Sequence, residues 1–160
     1  MPDDDLIQHK SLVQPADALE MLKADHRRIH RLLQRYAATN EPQMKQRIAL
    51  ALFVELELHT QLEAQVFYPA FAEATNRAGH PLVDASLEDH ERIEVYVEEL
   101  RGLDAGQEAF EAKFHALRLS VEQHIQDEER QMFPQAEVAL EAQLEDLRDE
   151  MQDIKDQLLG

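Results

Sequence analysis

The sequence predicts an all-α protein: an antiparallel up-down four-helix bundle built from two similar helical hairpins, followed by an additional C-terminal helix. Three observations support this prediction. Glycine (4) and proline (6) are scarce among 160 residues, so few turns interrupt the chain. Apolar residues recur at steps of three and four, which is the spacing of a buried helix face. Two parts of the chain also repeat each other at matched distances.

Prolines, glycines and polar runs divide the chain into its predicted elements. Residues 1–15 are polar and predict an acidic, mostly irregular arm. Helices are predicted at about 16–38, 42–67, 81–101, 107–133 and 135–159. Asp17 is a suitable cap for the first helix, and the second either ends near Phe67 or continues past Pro69. Residues 16–136 are thus predicted to form the bundle and residues 137–160 the additional helix.

The last predicted helix carries an apolar stripe with heptad spacing. Its members are Leu140, Leu144, Leu147, Met151, Ile154 and Leu158. One interpretation is a fifth helix packed on the bundle, and the other is a coiled coil that joins two copies in a homodimer. Three heptads do not distinguish these interpretations.

The internal repeat is the most informative feature of the sequence. The repeated motifs are Asp-His-x-Arg-Ile at 25–29 and 89–93, and His-x-x-x-Glu at 59–63 and 124–128. Pro69 and Pro134 each lie ten residues after the histidine of the second motif. The histidines of the two motifs are 33 residues apart in one copy (26 to 59) and 34 in the other (90 to 124). Each hairpin therefore presents two histidines and one glutamate in equivalent positions.

These polar residues fall on the apolar stripes of the four bundle helices. The histidines are His26, His59, His90 and His124, and the glutamates one turn further on are Glu63, Glu94 and Glu128. A carboxylate on a buried stripe is costly unless it is paired, protonated or bound to a cation. Glutamates that converge on one core also repel each other. Two divalent or trivalent cations would resolve both problems, and imidazole together with carboxylate suits iron, manganese or zinc.

Other kinds of metal site do not fit. The chain has no cysteine, which excludes disulfides, thiolate ligands and cysteine nucleophiles. The Glu-x-x-His order of ferritin-like di-iron proteins is absent, as are the zinc-protease motif and the EF-hand loop.

The order of the motifs resembles the hemerythrin-like, or HHE cation-binding, domain over about residues 18–136. The resemblance implies a four-helix bundle that holds two iron ions joined by oxo, hydroxo or carboxylate bridges. It assigns His26 and His59 to one iron, His90 and His124 to the other, and Glu63 and Glu128 to the bridges.

The sequence departs from the pattern of hemerythrins in two places, and the first is Glu94, whose counterpart in the first helix is His30. Oxygen-carrying hemerythrins have a second histidine one turn after the third-helix histidine, where this sequence has Glu94. Glu94 is predicted as a further ligand that would favour ferric iron. His30 takes the same place in the first helix, so it is either another ligand or a histidine at the edge of the stripe.

The second departure is the spacing of the carboxylate ligand in the fourth helix. Hemerythrins take it five residues after the histidine, which is Glu129 here. At 100° per residue, Glu129 is turned about 140° from His124, whereas Glu128 lies on the stripe. Glu128 is therefore the predicted ligand and Glu129 the second choice.

The remaining histidines and the tyrosines are given no part in the site. His9, His80 and His115 have no partner in the repeat and are predicted at the surface, and Tyr36, Tyr68 and Tyr96 are predicted to pack.

Charge and hydropathy indicate which partners and which cellular location to expect. The chain has 33 acidic and 16 basic residues, a formal net charge of −17, which disfavours nucleic acid and anionic membranes as partners. No apolar run approaches the ~20 residues that span a bilayer. The N-terminus is acidic, unlike a secretory signal, so a soluble cytoplasmic protein is expected.

Three functions are compatible with the sequence. The first is a non-enzymatic di-iron protein that binds or senses O2 or a related small ligand, or that senses or stores iron. The second is a di-iron enzyme that acts on peroxide or nitric oxide, which Glu94 in place of a histidine favours. The third is a metal-free helical interaction protein, which leaves the glutamates within apolar stripes unexplained.

Overall fold

The computed structural model describes residues 14–160, and every regular element in that range is helical. The elements are α1 (Ala18–Ala38), α2 (Pro42–Leu62), π1 (Glu63–Phe67), α3 (Tyr68–Ala74), α4 (His80–Arg101), α5 (Glu108–Asp127), π2 (Glu128–Met132), α6 (Phe133–Ala139) and α7 (Leu144–Leu159). The segments α2, π1 and α3 form one continuous rod, and α5, π2 and α6 form another. With α1 and α4 these rods make the predicted four-helix bundle, and α7 is the additional helix.

Local sequence explains where the rods begin and turn. The Asp17 side chain accepts a hydrogen bond from the Glu20 N–H at 3.0 Å and so caps α1 as predicted. Pro42 opens α2, where its missing N–H costs no helical hydrogen bond. Short connections at 39–41, 75–79 and 102–107 make neighbouring rods antiparallel.

The predicted helix break at Pro134 is wrong. The fourth rod continues to Ala139, and α7 starts only at Leu144 after a turn. A proline inside an α-helix removes a donor and clashes with the carbonyl four residues earlier. Here π2 widens the helix just before the proline, since the N–H of Phe133 bonds the carbonyl of Glu128 five residues back. The second rod accommodates Pro69 in the same way through π1, so it continues past Pro69 to Ala74.

The core of the bundle consists of two apolar clusters. One cluster includes Ile29, Leu52 and Phe114 and fills the end of the bundle near the 39–41 connection. The other includes Leu22 and Phe67 and fills the opposite end, where α7 packs. A layer of buried polar side chains lies between them on all four rods.

The α7 helix packs on the bundle through its apolar stripe. Leu144, Leu147 and Met151 are buried in the second cluster, Ile154 is partly buried, and Leu158 is exposed. The predicted arm falls mostly on residues 1–13, which lie outside the described residues. Between residues 14 and 160, no helix has the length and apolar character needed to cross a membrane.

Candidate metal centre

Each rod contributes to the polar layer. The residues are His26 from α1, His59 from α2, Glu63 from the start of π1, His90 from α4, His124 from α5 and Glu128 from the start of π2. Their exposed fractions are all 8% or less. The structure thus brings together six of the predicted site residues in the interior of the bundle.

The first group of ligand atoms surrounds His26 and His59. The Nε2 atoms of these two histidines lie 3.2 Å apart. The His26 Nε2 atom is 3.1 Å from Oε1 of Glu128, and the His59 Nε2 atom is 3.3 Å from Oε1 of Glu63. These four side chains can place one ligand atom each within 4.8 Å of one another, which is close enough to hold a metal ion.

The second group surrounds His90 and His124. Their Nε2 atoms lie 3.0 Å and 3.6 Å from Oε1 of Glu63. The Nε2 atom of His124 is also 3.4 Å from Oε2 of Glu128. The carboxylates of Glu63 and Glu128 therefore reach both groups, as bridging ligands would.

Outer carboxylates orient three of the four imidazoles. His26 Nδ1 donates to Glu129 at 2.8 Å, His59 Nδ1 to Asp25 at 2.9 Å, and His124 Nδ1 to Asp89 at 3.1 Å. A carboxylate only accepts, so each of these Nδ1 atoms carries a proton. In the neutral ring the lone pair is then on Nε2, the atom that faces the layer. Hydrogen bonds of this kind orient metal-binding histidines in proteins.

The layer contains more acceptors than donors. Three buried atoms have no hydrogen-bond partner among the described residues: Glu63 Oε2, His124 Nε2 and Glu128 Oε1. In the neutral rings of His26, His59 and His124, the Nε2 lone pair faces carboxylate oxygens at 3.1–3.6 Å, which is unfavourable without a proton or cation between them. The donor set, nitrogen from imidazole and oxygen from carboxylate, fits iron, manganese or zinc.

The pKa shifts show how strongly the layer favours positive charge. Burial lowers the pKa of His59, but Glu63 and Asp25 outweigh it and raise that pKa well above its ordinary value. Burial also lowers the pKa of His124, but Glu128, Asp89 and Glu63 outweigh it and raise that pKa to about 10. Protons can thus take the place of cations in this layer.

The two glutamates titrate in opposite directions. Burial raises the pKa of Glu63, yet His59, Glu128 and His124 bring it well below its ordinary value. Burial and the charge of Glu63 raise the pKa of Glu128. One buried carboxylate is therefore held ionised while its neighbour is pushed towards the neutral form.

Tyr68 belongs to the layer, which the prediction of a packing role missed. Its ring is buried, and its hydroxyl donates to Oε2 of Glu128 at 2.5 Å and lies 3.2 Å from Nε2 of His90. The repeat held a signal for this: the equivalent residue before the second proline is Phe133, so the two copies differ there by a hydroxyl group. Tyr36 packs as predicted, stacked on Phe114.

The structure places two predicted ligands outside both groups. Glu94 is exposed and lines a groove between α2 and α4, and His30 is half-buried near Glu129. Glu129, the second choice for the fourth-helix carboxylate, is 39% exposed and contacts the outer nitrogen of His26. Glu128 occupies the layer instead, as the stripe predicted. His80 and His115 are exposed, and His9 lies outside the described residues.

The groove between α2 and α4 reaches the edge of the layer. It has a volume of about 530 Å³ and is lined by apolar side chains that include Leu56, Ile93 and Val97, together with an edge of His90. Four glutamates also line it: Glu57, Glu91, Glu94 and Glu98. It offers small molecules an approach to the layer.

Both π segments begin at a glutamate of the layer. π1 starts at Glu63 and π2 starts at Glu128, the equivalent positions of the repeat. Single π turns inside α-helices are common at functional sites. The repeat therefore extends to the backbone that carries the two carboxylates.

The comparisons with known proteins agree with this geometry. A family model described as the hemerythrin HHE cation binding domain matches residues 17–136. A crystal structure of a hemerythrin HHE cation binding domain-containing protein, the Rv2633c homolog from Mycobacterium kansasii, has the same fold with a TM-score of 0.73. The two chains are 24% identical, and the match covers 89% of this chain and 86% of that one. No curated protein matches the chain. With the family model spanning three quarters of its length, the chain belongs to the hemerythrin HHE cation-binding domain family.

Proposed function

We propose that this chain holds two iron ions in the polar layer and binds O2 or a related small molecule there. The observation that carries the proposal is the convergence of four buried imidazoles on two buried carboxylates. The proposed ligands are His26 and His59 for one ion, His90 and His124 for the other, and Glu63 and Glu128 for both. A bound iron pair supplies redox chemistry and coordination positions for small ligands.

Two ions fit better than one because the ligand atoms form two groups. Both groups include the carboxylate of Glu63, and Glu128 lies between His26 and His124. Four imidazoles against two carboxylates favour iron over manganese, which prefers oxygen ligands. Each ion would receive two nitrogens and two carboxylate oxygens, which leaves positions for a small ligand.

The surroundings limit what reaches the ions. The ligand side chains are nearly inaccessible, and the groove beside His90 is the approach described above. Its glutamates disfavour anions through their charge. Small uncharged molecules such as O2, nitric oxide and hydrogen peroxide are the expected ligands.

Tyr68 favours the second candidate, an enzyme that acts on peroxide or nitric oxide. Its hydroxyl lies inside the layer, in contact with Glu128 and His90. A hydroxyl in that place can donate a proton to a reacting ligand, which reversible binding does not require.

The experiment is anaerobic loading with ferrous iron followed by exposure to each ligand. Two irons per chain with reversible colour change on O2 addition and removal would support binding. Catalysed loss of peroxide or nitric oxide would support the enzyme. His59→Ala is expected to abolish either property, whereas His115→Ala, which changes an exposed histidine, leaves it intact. Folded protein that takes up no iron would overturn the proposal and favour a metal-free interaction protein.

A further inference from the structure

A lysine is buried against the outer side of the layer. Lys155 lies on α7, with 5% of its surface exposed. Its Nζ atom donates to Oδ1 of Asp25 at 2.8 Å. Lysine is rarely buried without a partner, because removing its charge from water is costly. The buried face of α7 continues from Leu147 and Met151 to this lysine in steps of four, so a cation takes the place of an apolar residue.

Asp25 connects this lysine to the layer. Its other oxygen, Oδ2, accepts from Nδ1 of His59 at 2.9 Å. Arg28 also donates to Oδ1 of Asp25 and reaches Glu55 through Nε at 3.1 Å. The Asp25 carboxylate is 1% exposed, so these side chains fix its orientation.

The second copy of the repeat has no such connection. Asp89, which takes the place of Asp25, is 27% exposed, and the cation beside it is the exposed Arg92 at 3.2 Å. In the described part of the chain, no lysine contacts Asp89 as Lys155 contacts Asp25. The extra cation comes from α7, which lies beyond the residues that the family model matches.

We propose that Lys155 is a positioning residue, through which α7 secures the half of the metal centre that contains His26 and His59. Lys155 holds the Asp25 carboxylate, and the carboxylate holds the His59 ring with its Nε2 lone pair directed into the layer. This inference rests on the proposed function, since it assumes that the layer binds iron. It makes α7 part of the site rather than a helix that only covers the bundle.

The test compares Lys155→Met with two matched controls. Lys113→Met removes a surface lysine that pairs with Glu99, and Met151→Ala loosens the packing of α7 without touching the network. The reduced iron-loaded proteins are exposed to a ferrous chelator, and iron release is followed with time. Mössbauer spectra of iron-57 samples report the environment of each ion, and circular dichroism reports the melting temperature of each metal-free protein.

Lys155→Met is expected to speed the release of one iron by up to about 10-fold, the lower end of the loss in affinity that follows when the direct outer partner of a ligand is removed, because Lys155 acts through that partner, Asp25. It is expected to change one Mössbauer component and leave the other. Lys113→Met is expected to behave as the wild type, and Lys155→Arg, which keeps the charge, to restore most of the retention.

Three results would overturn the inference. If Lys155→Met released both irons at the wild-type rate, the lysine would have no effect on the site. Equally fast release from Met151→Ala, at the same loss in melting temperature, would show that α7 acts only by packing. If Lys155→Met does not fold, Asp25→Asn and Asp89→Asn take its place. Asp25→Asn must then weaken the binding of one iron more than Asp89→Asn weakens the binding of the other, and equal effects would count against the inference. Wild-type protein without iron would instead refute the proposed function itself.

Discussion

The two halves of the polar layer have the same motifs but different surroundings. The first half-site consists of His26 and His59 with two outer carboxylates: Glu129, which is exposed, and Asp25, which is buried beneath α7. The second half-site consists of His90, His124 and the outer carboxylate Asp89, which is partly open to water. An internal repeat therefore copies the ligands without copying their environment.

The difference arises partly outside the repeated segments and partly at a position where the two copies carry different residues. At the first half-site α7 adds a buried cation, Lys155, behind the outer carboxylate. At the second half-site the second rod adds the Tyr68 hydroxyl within the layer, while the groove opens beside His90. The first half-site is thus secured behind His59 by a buried ion pair, and the second is the side next to the Tyr68 hydroxyl and the groove.

The largest expected effect comes from removing the carboxylate that the two half-sites share. Glu63→Gln keeps the size of the side chain but removes the charge that lies 3.3 Å from His59 and 3.0 Å from His90. Iron content measured by elemental analysis is expected to fall to near zero. Glu94→Gln, in the groove, is the control and should retain the wild-type content. Full iron content in Glu63→Gln would show that the half-sites do not share this ligand.

The two outer aspartates are expected to differ in their contribution to stability. Asp25→Asn leaves Lys155 and Arg28 without their buried carboxylate, which is expected to cost about 3–5 kcal/mol of unfolding free energy. Asp89→Asn removes a partly exposed pair with Arg92 and is expected to cost about 1 kcal/mol or less from that pair. Denaturant unfolding of the metal-free proteins measures both. Equal losses would remove the distinction between the buried and the partly exposed outer aspartate.

The stability of the metal-free protein is expected to fall as the pH rises. Folding raises the pKa of His59 well above its ordinary value and that of His124 to about 10. Below about pH 6.5 these histidines are protonated in both states, and their stabilisation is fully present. It is lost as the pH approaches 10, because the folded protein then releases the extra protons.

Bound metal is expected to remove this dependence above about pH 6.5, because it takes the place of the protons on these histidines. The difference in melting temperature between metal-loaded and metal-free protein is therefore expected to widen from pH 6.5 to 9. Thermal unfolding at several pH values measures it for each form. A difference that narrows with rising pH would show that metal does not replace protons on these histidines.

The smallest expected effect is that of the Tyr68 hydroxyl. Tyr68→Phe keeps the buried ring but removes the hydroxyl that donates a hydrogen bond to Glu128. Iron content should remain at the wild-type value, while the absorption spectrum and the rate of peroxide loss change. Tyr36→Phe, in the first apolar cluster, is the control. Unchanged spectra and rates in Tyr68→Phe would limit this residue to packing.

The sequence was sufficient to predict the bundle and the histidines and glutamates that enter the layer. Spacing of three and four predicted the buried faces, and the repeat identified His26, His59, His90 and His124 with Glu63 and Glu128. It also favoured Glu128 over Glu129, because the stripe continues through Glu128. These features depend on residues close together in sequence, where helix geometry determines direction.

What the sequence did not reveal depends on contacts between distant segments. Lys155 lies 130 residues from Asp25, and Tyr68 lies 60 residues from Glu128, so neither pairing has a local pattern. The stripe of the third helix predicted Glu94 as a ligand, and the repeat left His30 as either a ligand or a histidine at the stripe edge, but the structure keeps both outside the two groups. Pro134 predicts a helix end because proline ordinarily interrupts a helix, and the π turn that accommodates it is visible only in the structure.

The most direct test is iron content combined with iron-57 Mössbauer spectroscopy on protein loaded anaerobically. We expect about two irons per chain, the content of a di-iron bundle site, in two spectral components of equal area that differ because the half-sites differ. A folded protein that binds no iron, or a single ion per chain, would contradict the two-ion centre. Two irons in one identical environment would contradict the inequality of its halves.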